Sequence, residues 1–404
     1  MLVVATLAAC AEDWPQWRGP GRDGQVRGAS WPGSLSGSNL VQVWRVPLGP
    51  SYSGPVVSGP WVFTTETSNK TTEVVRALER ATGREVWRAQ WAGSVKVPFF
   101  AKANGDWIRS TPACDGDGLF VAGMRDVLVC LDARTGAERW RFDFVSKLAT
   151  PVPDFGFVCS PLVDGEFVYA QAGAGLAKLS KRTGELVWRT LKDQGGMWGS
   201  AFSSPVIGEI AGTRQLIVQT REKLAGVALV DGRELWTQPV EAFRGMNILT
   251  PVVFGDGVFT STYGGKTTLF GLRRDGDVFK AAPKWTLKEQ GYMTTPVVID
   301  GIAYQHLKSQ RVAAFDLRSG RTLWTTDESF GKYWSLVTNG DRILALDQRG
   351  RLYLFKARPE KFELLDKRTI SEAETWAHLA LAGEQLFVRE LNGLTAWRWK
   401  APAP

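Results

Sequence analysis

The chain has 404 residues, 44% of them hydrophobic and 22% charged, with a formal net charge of +8. That balance fits a folded globular protein and excludes extensive disorder. Only 2 His leave little room for histidine-based catalysis, whereas 18 Trp and 43 Gly point to a repeated anchor set among tight turns. Lys and Arg are dispersed among acids, so the excess charge reads as solvated surface and not as a specific nucleic-acid site.

Residues 1–11 read as an export signal, because Leu2 to Ala9 form an apolar run ending in small residues. The run is too short to span a bilayer, which needs roughly 20 apolar residues. Leu7-Ala8-Ala9-Cys10 has the form of a bacterial lipobox, in which the cysteine is lipidated and becomes the mature N-terminus. Ala9-Cys10-Ala11 equally fits an A-x-A cleavage that releases a soluble protein. The first outcome anchors the protein to the outer membrane through Cys10, its sole membrane attachment; the second leaves it in the periplasm. A leader, residues 12–40, follows and carries Asp13-Trp14-Pro15-Gln16-Trp17-Arg18-Gly19-Pro20.

From residue 41 to 399 the chain repeats. Six units open on a small residue and Pro: Gly54-Pro55, Thr111-Pro112, Ser160-Pro161, Ser204-Pro205, Thr250-Pro251 and Thr295-Pro296. Degraded openings follow at Ser335-Leu336 and His378-Leu379, and residues 400–404 form a tail. Each opening leads through short β-branched and aromatic runs to a second signature, a small residue followed by a Gly turn and Trp. Copies run Ala77 to Trp87, Cys130 to Trp140 and Ala314 to Trp324, with altered forms ending at Trp188, Trp236 and Trp285. Four short strands per unit, repeated at this period, predict a single all-β propeller of four-stranded blades.

Eight openings give eight blades; seven stay open as an alternative because the last two copies are degraded. Leu40 to Val46 reads as a strand with no unit before it, and the last unit lacks a closing strand. An N-terminal strand closing the ring satisfies both. The closing Trp is expected to lie across the next blade, against the small residue of that blade's signature. Cys114, Cys130 and Cys159 form no metal or disulfide spacing and read as buried small hydrophobes. Asp115-Gly116-Asp117-Gly118 reads as a hairpin turn and not as a calcium loop.

The copies of the form Ala-x-Asp-x-x-Thr-Gly-x-x-x-Trp resemble the tryptophan-docking repeats of the pyrroloquinoline-quinone-like propeller family, over nearly the whole mature chain. In the dehydrogenases of that family the resemblance implies quinone and calcium above the channel, an adjacent Cys-Cys pair and long insertions. The present chain has no adjacent cysteines and only short insertions. It resembles more closely the branch that includes a propeller lipoprotein assisting assembly of outer-membrane β-barrels, which implies a cofactor-free binding scaffold with an envelope protein or extended peptide as partner. A reduced quinone-dependent oxidoreductase is the alternative, with Arg109, Trp198, Asn247, Lys332 and Trp376 around the cofactor.

Loops joining successive blades all emerge on one face and should surround the channel mouth. They carry Trp107, Arg109, Phe157, Trp198, Arg244, Asn247, Tyr292, Lys332, Tyr333, Trp334 and Trp376, with His378 at a degraded opening. Aromatic rings and cations in a funnel suit a glycan, a small anionic ligand or a peptide. The same rings equally serve to fill the hub of a ring-shaped fold. No catalytic set is recognisable, and the protein is expected to be a monomer.

Overall fold

The computed structural model describes residues 13–28, 30–198 and 201–400. The proposed signal and Cys10 lie outside them. Among the described residues the chain forms eight four-stranded antiparallel sheets, and the eighth settles the blade number left open by the degraded copies. Helix is confined to one turn, Phe144–Leu148, and three 3-10 segments, Phe99–Asn104, Gly196–Trp198 and Phe243–Gly245. We number the blades 1 to 8 in chain order: 56–92, 113–143, 162–190, 206–239, 252–287, 297–325, 334–369, and 380–399 joined by 40–47.

Blade 2 shows how the repeat folds. Ala113–Cys114 pairs with Gly118–Gly123 through a turn in which the Asp115 carboxylate accepts from the Asp117 and Gly118 amides, at 3.1 and 2.7 Å. Val127–Asp132 and Glu138–Asp143 complete the meander. The inner three strands are almost wholly buried, whereas the outermost alternates exposed and buried residues. A blade therefore needs a neighbour on each face.

The opening motif has a physical purpose that its residues alone did not disclose. Proline holds the Ser or Thr before it in extended backbone, and its amide points at the next blade. Gly54 donates to Thr111 Oγ1, Thr111 to Ser160 Oγ, and Ser160 to Ser204 Oγ. Ser204 then donates to Thr250 Oγ1 and Thr250 to Thr295 Oγ1. These bonds, 2.9–3.2 Å long, run head to tail around the hub. The run is followed only as far as blade 6; at the degraded copies Leu379 donates to Ser335 Oγ instead.

Closing tryptophans join the blades at the rim. The indole Nε1 of Trp87 donates to Ala133 O at 3.0 Å, that of Trp140 to Lys181 O at 2.8 Å and that of Trp188 to Val230 O at 3.1 Å. Trp285 and Trp324 repeat this with Leu317 O and Arg358 O. The surface receiving the ring differs from expectation. Ala77 and Cys130 sit opposite Trp87 and Trp140 within their own blades. The indoles of Trp87, Trp140, Trp188 and Trp285 instead lie on the turn glycine of the next blade, whereas Trp324, facing a turn without glycine, meets Phe362. A Cβ on Gly136 would stand 2.5 Å from Trp87, and one on Gly184 would stand 2.6 Å from Trp140. That glycine thus serves twice, taking positive φ in the turn and leaving the indole its seat.

Closure follows the expected route. Leu40–Pro47 pairs antiparallel with Gly393–Trp399, from Leu40 opposite Trp399 to Pro47 opposite Gly393. The signature of blade 8 is split between the ends of the chain: Ala396 comes from one and Trp44, opposite it, from the other. Trp44 then docks on blade 1, donating to Arg80 O at 3.0 Å above Gly83. Two junctions depart from the rule. Trp236 donates to Gln215 of its own blade. At blade 7, Asp366 accepts from Ser34 Oγ and the Leu35 amide, and Trp31 stacks on Trp399, so leader residues take the place of a docking indole.

Candidate functional site

The two ends of the hub differ. On one face lie the inner-hairpin turns and the outer-hairpin tips; Asp13 accepts from the Gly59 amide of the first and sits 3.9 Å from Arg80 of the second. The leader crosses this face. Trp14 pairs with Val57 in blade 1, and Pro15 O accepts from the Cys114 amide in blade 2. Arg22 donates to Pro161 O and Ser160 O in blade 3, at 2.8 and 3.0 Å. Arg18 donates to Thr295 O and Pro296 O in blade 6, at 2.9 and 2.6 Å. Gly24 and Val26 bond Thr338 of blade 7, and Trp17 meets His378 of blade 8 edge-on at 5.7 Å.

The leader is therefore a plug. Both guanidiniums are buried, and burial lowers each to about 10, which keeps them charged. Four of their bonds go to carbonyls of the opening motifs and two more to Arg22 O and Asp23 O within the leader, compensating the buried charge. His378, expected near the channel, is there, but beneath Trp17. Burial, with Arg18 adding to it, pushes its imidazole down to about 3, so it is neutral.

The opposite mouth is ringed by the blade-joining loops. Tyr52 meets Trp107 edge-on at 5.4 Å and Trp376 at 5.9 Å, and Trp376 stacks on Tyr333 at 6.1 Å. Arg109 lies 5.8 Å from the Tyr52 ring, its guanidinium held by Trp107 O and Gly105 O. Burial lowers Arg109 to about 10 and raises the Tyr52 hydroxyl to about 12, so a cation faces a neutral phenol. A second group joins Phe99, Phe100, Phe155 and Phe202, with Arg221 over Phe202 at 5.3 Å. In a third, Tyr263 contacts Phe243 and Tyr292, and Lys308 lies 4.6 Å above its ring. Phe99 is 82% exposed and Phe100 54%.

Of the residues singled out from sequence, Trp107, Arg109, Tyr333 and Trp376 come together, and Tyr292 belongs to the third group. Lys332 and Arg244 are exposed at the same mouth, Arg244 with its guanidinium 5.3 Å from the Phe243 ring. The backbone of Trp198 closes the turn Gly196–Trp198, and its side chain lies outside the described structure. Three expected mouth residues face inward and are corrected. Phe157 is buried against Phe144. Trp334 is fully buried, stacked on His306 at 5.4 Å and on Tyr353 at 5.1 Å. Asn247 spends its amide on Thr220 O and Arg221 O, both at 3.0 Å, and braces a loop. Tyr52, Phe99, Phe100, Phe202 and Tyr263 are among those missed. Tyr52 precedes the one Pro-containing opening that lacks a hydroxyl, and Tyr263 lies in a turn between the middle strands, outside the blade-joining loops.

A ring of eight four-stranded blades with indole docking, plugged at one end and rimmed by aromatics at the other, is a pyrroloquinoline-quinone-like repeat propeller. The family model described as "Outer membrane protein assembly factor BamB" matches residues 70–326. The chain belongs to that family. BamB of Yersinia pestis is 26% identical over 260 residues, which cover 61% of this chain and 63% of that relative. BamB of Moranella endobia is 23% identical over 337 residues, 79% of each chain. Among solved structures, BamB from Moraxella catarrhalis aligns over 89% of this chain and all of that one, with a TM-score of 0.62 and 17% identity. The quinohemoprotein alcohol dehydrogenase of Comamonas testosteroni shares the fold at a TM-score of 0.51 and 12% identity, over 97% of this chain and 82% of that one.

Proposed function

We propose that this protein is a non-catalytic binding scaffold of the cell envelope that takes part in outer-membrane protein assembly, holding a segment of a partner protein at its aromatic mouth. The observation that carries the reading is the crown of partly exposed rings on the one unplugged face, led by Phe99 and Phe100. Rings in shallow loops give area to an extended, apolar polypeptide at low entropic cost. Membership of the BamB family supports the envelope setting; lipidation at Cys10, the alternative to cleavage that anchors the chain, is part of the proposal. The quinone alternative fits the geometry less well. Of the residues it would gather around a cofactor, Asn247 has committed its amide protons to backbone.

A photo-crosslinking residue in place of Phe100, in the full chain in a Gram-negative host, is expected to capture an envelope protein. The same residue at Arg134, on the plugged face, should not. Equal capture from both faces, or none at Phe100 across growth conditions, refutes the reading.

A further inference from the structure

The plug also fixes which way the ring faces. This inference rests on lipidation of Cys10, as read above. Cys10 and Asp13 are three residues apart, so their Cα atoms are separated by at most about 11 Å. Asp13 is no free end. Its carboxylate accepts from the Gly59 amide at 2.9 and 3.0 Å, and Trp14 exchanges two backbone hydrogen bonds with Val57. From there the chain is tied down across the hub as far as Val26. The tether is therefore short and ends on a rigid body at the plugged face.

We propose that the plugged face lies against the phospholipid surface and that the aromatic mouth points away from it. The tips of the outer hairpins on that face carry exposed arginines, among them Arg84, Arg134, Arg182, Arg233 and Arg318. Guanidiniums suit phosphate headgroups. Acids are on the same face: Glu79 pairs with Arg84, Asp231 lies 3.9 Å from Arg233, and Asp117 and Asp132 pair with Arg139. The face is thus of mixed charge, and the tether, more than electrostatic attraction, sets the orientation. The consequence is a partner site presented to the periplasmic space and unobstructed by lipid.

The test uses the full chain, purified with its native N-terminus and inserted in phosphatidylethanolamine–phosphatidylglycerol vesicles carrying nitroxide-labelled lipid. Fluorophores are placed singly by Arg134→Cys at a plugged-face tip and by Lys102→Cys at the mouth; the three native cysteines of the ring are buried and stay unlabelled. Mass spectrometry first reads acylation of Cys10. The fluorophore at position 134 is expected to lose most of its emission, and that at 102 little. A flexible 20-residue insert between Cys10 and Asp13, with a mean span of about 25 Å, should erase the difference. An acylated protein quenched equally at both positions, or more at 102, overturns the orientation alone. A chain left unacylated at Cys10 overturns the anchor and the orientation with it, while crosslinking at the mouth still judges the scaffold separately.

Discussion

Replacing Gly136 by Ala separates the two duties of the turn glycine. Its φ is +74°, and the added Cβ would stand 2.5 Å from Cε3 of Trp87. Positive φ alone costs an alanine about 1–2 kcal/mol. Displacing the indole adds the loss of its bond to Ala133 O, about 1 kcal/mol, and overpacking strain of about 1–3 kcal/mol. The sum is about 3–6 kcal/mol. Gly116→Ala is the matched control, with φ +90° and no atom within 4 Å of the new Cβ, so it should cost only the first term. Urea unfolding followed by circular dichroism would measure both. In a Trp87→Ala background, where the seat is empty, Gly136→Ala should fall to the level of the control. Equal costs for the two alanines in the native background, or an excess that survives without Trp87, would refute the docking argument.

Other consequences can be measured in the same way. Arg18→Leu leaves the carbonyls of Thr295, Pro296 and Asp23 without their donor, which should cost about 3–5 kcal/mol. Limited proteolysis should then cut the leader before the blades. His306, pushed down to about 4 by burial, takes up its proton later than the unfolded chain does near pH 6.5. Stability is therefore lost as pH falls from about 6.5 to about 4. His306→Phe keeps the stack on Trp334, and its Tm should gain on the native protein across that interval; a constant offset would count against the buried neutral imidazole. Glu73 works in the opposite direction. Burial raises it to about 7 against the hydrogen bonds from the Met124 amide and Trp91. The folded protein then holds a proton that the unfolded chain has released, so this contribution is present at low pH and lost as pH rises from about 4.5 through 7. The Tm of the native protein should fall relative to that of Glu73→Gln between pH 5 and pH 8, and a native protein that gains on the variant over that interval would reverse the assignment.

The ring was legible in the sequence because each blade repeats what its neighbours need, and even the closing strand could be recognised as a signature cut in two. The docking surface was misassigned for a physical reason. Ala77 and Gly83 both recur at fixed distance from Trp87, and spacing alone does not tell a partner within the blade from one supplied by the next. The mouth was legible only in part. Blade-joining loops have no two-residue alternation, so Trp334, which turns into the core, and neighbouring Tyr333, which turns to the mouth, look alike as letters. The plug left no trace at all. Arg18 and Arg22 bond main-chain carbonyls 277, 278, 139 and 138 positions away, and a carbonyl has no residue type to recognise.

The split eighth blade sets a timetable for folding. Leu40–Pro47 is synthesised before the seven intervening blades, and its partner Gly393–Trp399 only after them. Until that partner is free, the early strand has an unpaired edge and Trp44 is not held against blade 1. A chain still emerging from a ribosome, or still threading through a translocation pore, is thus held short of its native circle. On the reading proposed above, in which the protein is exported, this delay is useful, because the latch snaps only after the ring-closing partner strand has arrived.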